Sequence, residues 1–144
     1  MQLNDTIKLL KECDSGTKMA VSSMDEVLDK VENQSFKAML IACKDKHTNL
    51  GNEIHSLLKQ CNEQDKEPNP MAKGMSWLKT NVKMTIDESD KTIADLMTEG
   101  CNMGTKALSR NLNNYVQADD QSKKICKELI RIEDELAMSI RCFL

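Results

Sequence analysis

The side chains in this chain with chemistry to offer are few and their spacing is specific. Only two histidines occur, His47 and His55, eight positions apart on one stretch of sequence. His47 interrupts an otherwise apolar seam, and so do Asp14 with Thr17 upstream and Glu133 near the C-terminus. Counted from the middle of its own segment, each interruption falls at a similar depth. An imidazole and two carboxylates at one level can hold iron, manganese or zinc, provided the ligands are deprotonated and positions stay open. The plainer reading needs no metal. A carboxylate beside His47 favours the protonated ring, and a buried ion pair of that kind fixes helix register.

The elements that must position these groups are read from hydrophobic spacing. Steps of three and four connect Leu3, Ile7, Leu10, Val21, Met24, Leu28 and Val31, which predicts a helix over residues 4–31. Asn4 or Asp5 can cap it. A second helix over 35–61 carries Phe36, Leu40, Cys43, Leu50, Ile54 and Leu57 on its seam, with Ser35 as its cap. Residues 62–70 are polar and hold Pro68 and Pro70, so they form a loop. A shorter amphipathic helix follows over about 71–84, with Met71, Met75, Leu78 and Val82. Asp87 or Ser89 then caps a helix over 89–115, and Asp119 or Asp120 caps the last one over 119–143. Nothing alternates with period two, so no strands are expected.

Each long helix has roughly 25 residues and spans about 38 Å. The short links inside the first and last pairs make two antiparallel hairpins. The long middle link can cross from one end of a bundle to the other, which sets helices two and three parallel. The expected architecture is one all-α domain over residues 1–144, a four-helix bundle with a helical crossover.

Composition narrows the functional classes. The chain has 144 residues, Lys+Arg 20 against Asp+Glu 23, and a net charge of −3. Charges of both signs are interspersed and build no basic face, which argues against nucleic acid and against a membrane surface. No apolar run approaches the ~18 residues that cross a bilayer. The first ten residues are polar and offer no secretory signal, so a cytoplasmic address and reduced cysteines are expected. The six cysteines form no C-x-x-C pair and read as small core residues. Cys43 stands four residues before His47 on the same face, but no oxyanion donor or orienting group accompanies the pair. Ten methionines against four aromatic residues point to an adaptable core. Gly100 and Gly104 imply that a backbone or a bulky side chain approaches the third helix closely. The apolar C-terminal run from Ile140 to Leu144 either docks on its own bundle or joins a symmetric dimer interface, with a homodimer favoured.

On this order of elements, the Met71 to Val82 stretch after its proline-bearing loop, and the run from Ile93 through Glu99 and Gly100, the chain resembles the ferritin-like superfamily. More narrowly, it is similar to small bacterial ferritin-like bundle proteins of unknown function. The resemblance covers nearly the full length and implies a metal centre built from carboxylates and E-x-x-H motifs. Helix one offers Glu12 or Asp14 and helix three offers Glu99. Helix two matches the histidine at His47 but has Lys44 in place of the glutamate. Helix four has Glu128 followed by Arg131, and later Glu133, with no histidine. Two readings follow. One is a non-catalytic bundle acting by self-association or partner binding. The other is a bundle binding iron, manganese or zinc at a reduced site of Asp14, His47, Glu99 and Glu133.

Overall fold

In a computed structural model of the chain, residues 2–63 and 87–144 are described, and they form four long helices and no strand. Helix α1 covers Gln2–Leu28, α2 Gln34–Gln60, α3 Asp90–Asn114 and α4 Asp120–Ser139, the last running into a 3-10 turn at Ile140–Phe143. The predicted boundaries hold to within a few residues. The short crossover helix expected over 71–84 lies outside the described residues.

Local chemistry explains where the helices begin. Asn33, rather than Ser35, caps α2 by accepting the Phe36 N–H at 3.0 Å. Ser89 caps α3 through the Thr92 N–H, and Asp119 caps α4 through the Ser122 N–H at 2.8 Å. Asp87 supports the α3 start by accepting from the Ser89 N–H and the Thr92 hydroxyl, bonds that hold its carboxyl below the usual range. Neither Asn4 nor Asp5 caps α1, which has already begun at Gln2. Asp5 instead accepts the Gln117 N–H at 3.0 Å, and Thr6 accepts the Asp119 N–H at 2.8 Å.

Those two bonds set the topology. The start of α1 lies beside the α3–α4 link. At the opposite end, Asp90 accepts the N–H groups of both Glu32 and Asn33 at 2.8 Å, so the start of α3 lies beside the α1–α2 link. Helices α2 and α3 therefore begin at the same end and run parallel, as do α1 and α4. The chain leaves α2 at one end of the bundle and enters α3 at the other. The most extensive packing joins α1 with α2 and α3 with α4, the two expected hairpins.

Two apolar clusters fill the interior. One gathers Val27, Phe36, Leu40, Ile93, Leu96 and Ile140 towards the α1–α2 link. The other gathers Leu9, Leu10, Ile54, Leu58, Ile125 and Leu129 towards the α3–α4 link. Each fully buried aliphatic side chain stabilises the fold by roughly 1.5–3 kcal/mol. The C-terminal run docks on its own bundle: Ile140 is fully buried and Phe143 stacks on Phe36 with centroids 4.7 Å apart. Ile140 and Phe143 thus have partners within the chain, while Leu144 stays half exposed.

Candidate functional site

Asp14, Thr17, His47 and Glu133 are buried polar side chains at mid-length of their helices, with an apolar cluster to either side. The seam breaks visible in the sequence thus become a polar layer across the bundle, with His47 and Glu133 in direct contact.

His47 is 1% exposed, and both its ring nitrogens are engaged. Nδ1 lies 2.9 Å from the Cys43 carbonyl oxygen one helical turn earlier. A carbonyl only accepts, so Nδ1 carries a proton. Nε2 lies 2.7 Å from Glu133 Oε1. One further proton lies in that short contact, so the pair amounts to an imidazolium bonded to a carboxylate. Burial pulls the imidazolium pKa down, but hydrogen bonds to Cys43 and Glu133 and the Glu133 charge push it up to about 10. The ring is held charged at neutral pH and is no free base.

Two cysteines flank the pair. The Cys43 sulfur is 3.5 Å from His47 Nδ1, which shares its proton between that sulfur and the Cys43 carbonyl oxygen. Burial, together with the Glu133 carboxylate to which Cys101 hydrogen-bonds, pushes the Cys101 thiol well above its ordinary range. Cys101 is therefore a protonated donor and no nucleophile. On the far side of the layer, a hydrogen bond to Cys126 and burial raise Cys13 likewise, and Cys126 lies 3.5 Å from the Leu108 carbonyl oxygen. All six cysteines are free thiols, four of them buried.

The other expected ligands are placed elsewhere. Asp14 is 2% exposed and pairs with Lys18 at 3.0 Å, yet it lines an open groove between α1 and α2 with Thr48 and Asn52. Glu99 is exposed on α3, one residue away from the inward-facing Gly100. At the other motif positions of helices two and four the side chains point outward. Lys44 pairs with Asp25, and Arg131 bridges Glu128 and Glu135 on the outer face of α4. Among the described residues, no three His, Cys, Asp or Glu side chains gather so as to hold a metal ion. The residues present do not fit the metal centre of carboxylates and E-x-x-H motifs that the resemblance implies.

Beside the pair, a cavity of about 280 Å³ opens between α1 and α3. Small residues make the room: Ser15, Gly16 and Ala20 on α1, and Gly100, Gly104 and Ala107 on α3. The neighbour at Gly104 is the Glu133 carboxylate, whose Oε2 lies 3.5 Å from where a Cβ would stand. Of Gly100 and Gly104, where a close approach was expected, Gly104 meets the Glu133 side chain; at Gly16 a Cβ would meet open space. Sequence reasoning did not single out Gly16, Gly51 or Cys101. Gly51 had a signal, standing four residues after His47 on one helical face. There it meets Thr17, whose Cγ2 lies 3.1 Å from a Cβ built at Gly51.

Fold and site together define an all-helical four-helix protein with a buried His–Glu pair and a cavity beside it. Compared with known protein families, with curated proteins and with solved structures, the chain finds no match. No helix among the described residues is long and apolar enough to cross a membrane.

Proposed function

We propose that this protein is a ferritin-like bundle that acts by binding, without catalysis, and that its place of binding is the cavity between α1 and α3. The ferritin-like reading is supported by the parallel run of α2 and α3 and by a connection that starts and finishes at opposite ends of the bundle. The non-catalytic reading rests on one observation: both nitrogens of the buried histidine are consumed, one by a carbonyl and one by Glu133. A general base needs a free lone pair, and His47 has none.

Binding of a partner or of a second copy at the surface is less favoured. Among the described residues the exposed large apolar side chains are spread out, Leu3 and Val116 at one end, Met138 and Leu144 at the other, and Ile41 and Met103 along α2 and α3. Scattered residues of this kind are ordinary on a protein surface.

The test is metal content. Protein purified without a tag, challenged anaerobically with Fe(II), Mn(II) and Zn(II), is examined by plasma mass spectrometry. The expected result is far less than one metal ion per chain. Near-stoichiometric metal that disappears in His47→Ala would overturn the reading and make this a metal-binding bundle.

A further inference from the structure

The walls of the cavity specify what it can hold; this step rests on the binding reading above. At about 280 Å³ it is larger than the roughly 150 Å³ apolar cavity that accepts benzene. An occupant of on the order of ten non-hydrogen atoms fits that volume. The walls are largely apolar, with Met24, Met97, Leu108, Leu129 and Leu136. Methionine side chains adapt to irregular shapes, so the fit does not demand one outline.

Two polar groups interrupt these walls. Glu133 commits Oε1 to His47, while Oε2 stands on the Gly104 side and can only accept. Thr17 lines the same cavity and is 4% exposed, and its hydroxyl has no hydrogen-bond partner among the described residues. An orphaned buried hydroxyl is costly, so a group that satisfies it is favoured there. Glu133 already accepts from His47 and Cys101, but a carboxylate has lone pairs to spare, so one ligand hydroxyl can donate to it while accepting from Thr17. Charge chooses among hydroxyl-bearing molecules. His47 already balances Glu133, so a cation would compete with the imidazolium, and an anion would face Glu133 together with Glu12 at the cavity wall.

We infer that the cavity between α1 and α3 is a binding site for a neutral alcohol or phenol of on the order of ten non-hydrogen atoms. Its apolar body lies against the methionine and leucine walls, and its hydroxyl bridges Glu133 and Thr17.

The experiment uses the full chain labelled with ¹³C at the methionine methyls and three probes: 4-propylphenol, 4-propyltoluene and 2-phenylethylamine. The phenol is expected to shift the Met24 and Met97 methyl resonances saturably, with a Kd of about 10⁻⁴ M. The toluene, which replaces the hydroxyl by a methyl, should bind about tenfold more weakly. Thr17→Val keeps the side-chain shape, and its fold is checked by circular dichroism. It should weaken the phenol severalfold and leave the toluene unchanged. Equal binding of phenol and toluene, tighter binding of the amine, or no methyl shift up to about 1 mM phenol would each overturn the ligand class. Those outcomes differ from stoichiometric metal uptake, which would overturn the binding reading itself.

Discussion

His47 Nε2 and Glu133 Oε1 meet at 2.7 Å across eighty-six residues of sequence, between two helices that run in opposite directions. The contact ties α2 to α4 at mid-bundle, between the two apolar clusters. A slip of one helical turn would leave both charges buried without a partner. The pair therefore acts on specificity of packing more than on net stability, because desolvating two charges offsets much of their attraction.

Removing one partner is expected to be far worse than removing both. His47→Ala or Glu133→Ala alone should cost about 3–5 kcal/mol, since each leaves an uncompensated buried charge or donor. Replacing both by apolar residues of similar size, His47→Leu with Glu133→Met, should recover most of that loss. Urea unfolding of the wild type, the two single variants and the double variant measures these differences.

The raised His47 pKa gives the fold a defined pH dependence. The ordinary value of 6.5 applies to the unfolded chain and about 10 to the folded one. The stabilisation is complete below pH 6.5 and is lost as pH rises through 10, at up to about 1.4 kcal/mol per pH unit. The urea midpoint of the wild type should fall between pH 7 and 10. The double apolar variant should lack this component of the fall, which separates it from the titration of other groups.

Much of this layer was legible in the sequence because a seam of three- and four-residue steps exposes any polar intruder. Asp14, Thr17, His47 and Glu133 were all visible that way, and all four are buried. What the spacing could not supply was azimuth. Adjacent helical residues point about 100° apart. Hence Glu99 is exposed while Gly100 lines the cavity, and Asp14 faces the α1–α2 groove while Thr17 also reaches the cavity. Caps were harder still. Asn33 and Ser35 are both good capping residues, and Asp5, read as a cap, serves a backbone N–H more than a hundred residues away.

Two glycines should respond oppositely to alanine. A Cβ at Gly16 meets nothing within 4 Å, so Gly16→Ala should stabilise the protein by up to about 1 kcal/mol through helix propensity. At Gly51 the new Cβ would lie 3.1 Å from Thr17 Cγ2, in a packed position. Gly51→Ala should gain nothing or lose stability. Thermal unfolding of the two variants decides this.

Thiol reactivity should follow burial. In the native protein a thiol reagent should modify the exposed Cys142 first and the half-buried Cys61 more slowly. Cys13, Cys43, Cys101 and Cys126 should react only on unfolding. Rapid native modification of any of these four would contradict the packing described.

The pair itself is read most directly by ¹⁵N NMR of the imidazole ring of His47 across pH. Both ring nitrogens should remain protonated from pH 6 through 8, with deprotonation centred near pH 10, and added Zn(II) should leave both signals in place. A ring that titrates near 6.5, or an Nε2 signal displaced by Zn(II) at neutral pH, would contradict the closed His47–Glu133 pair on which the account depends.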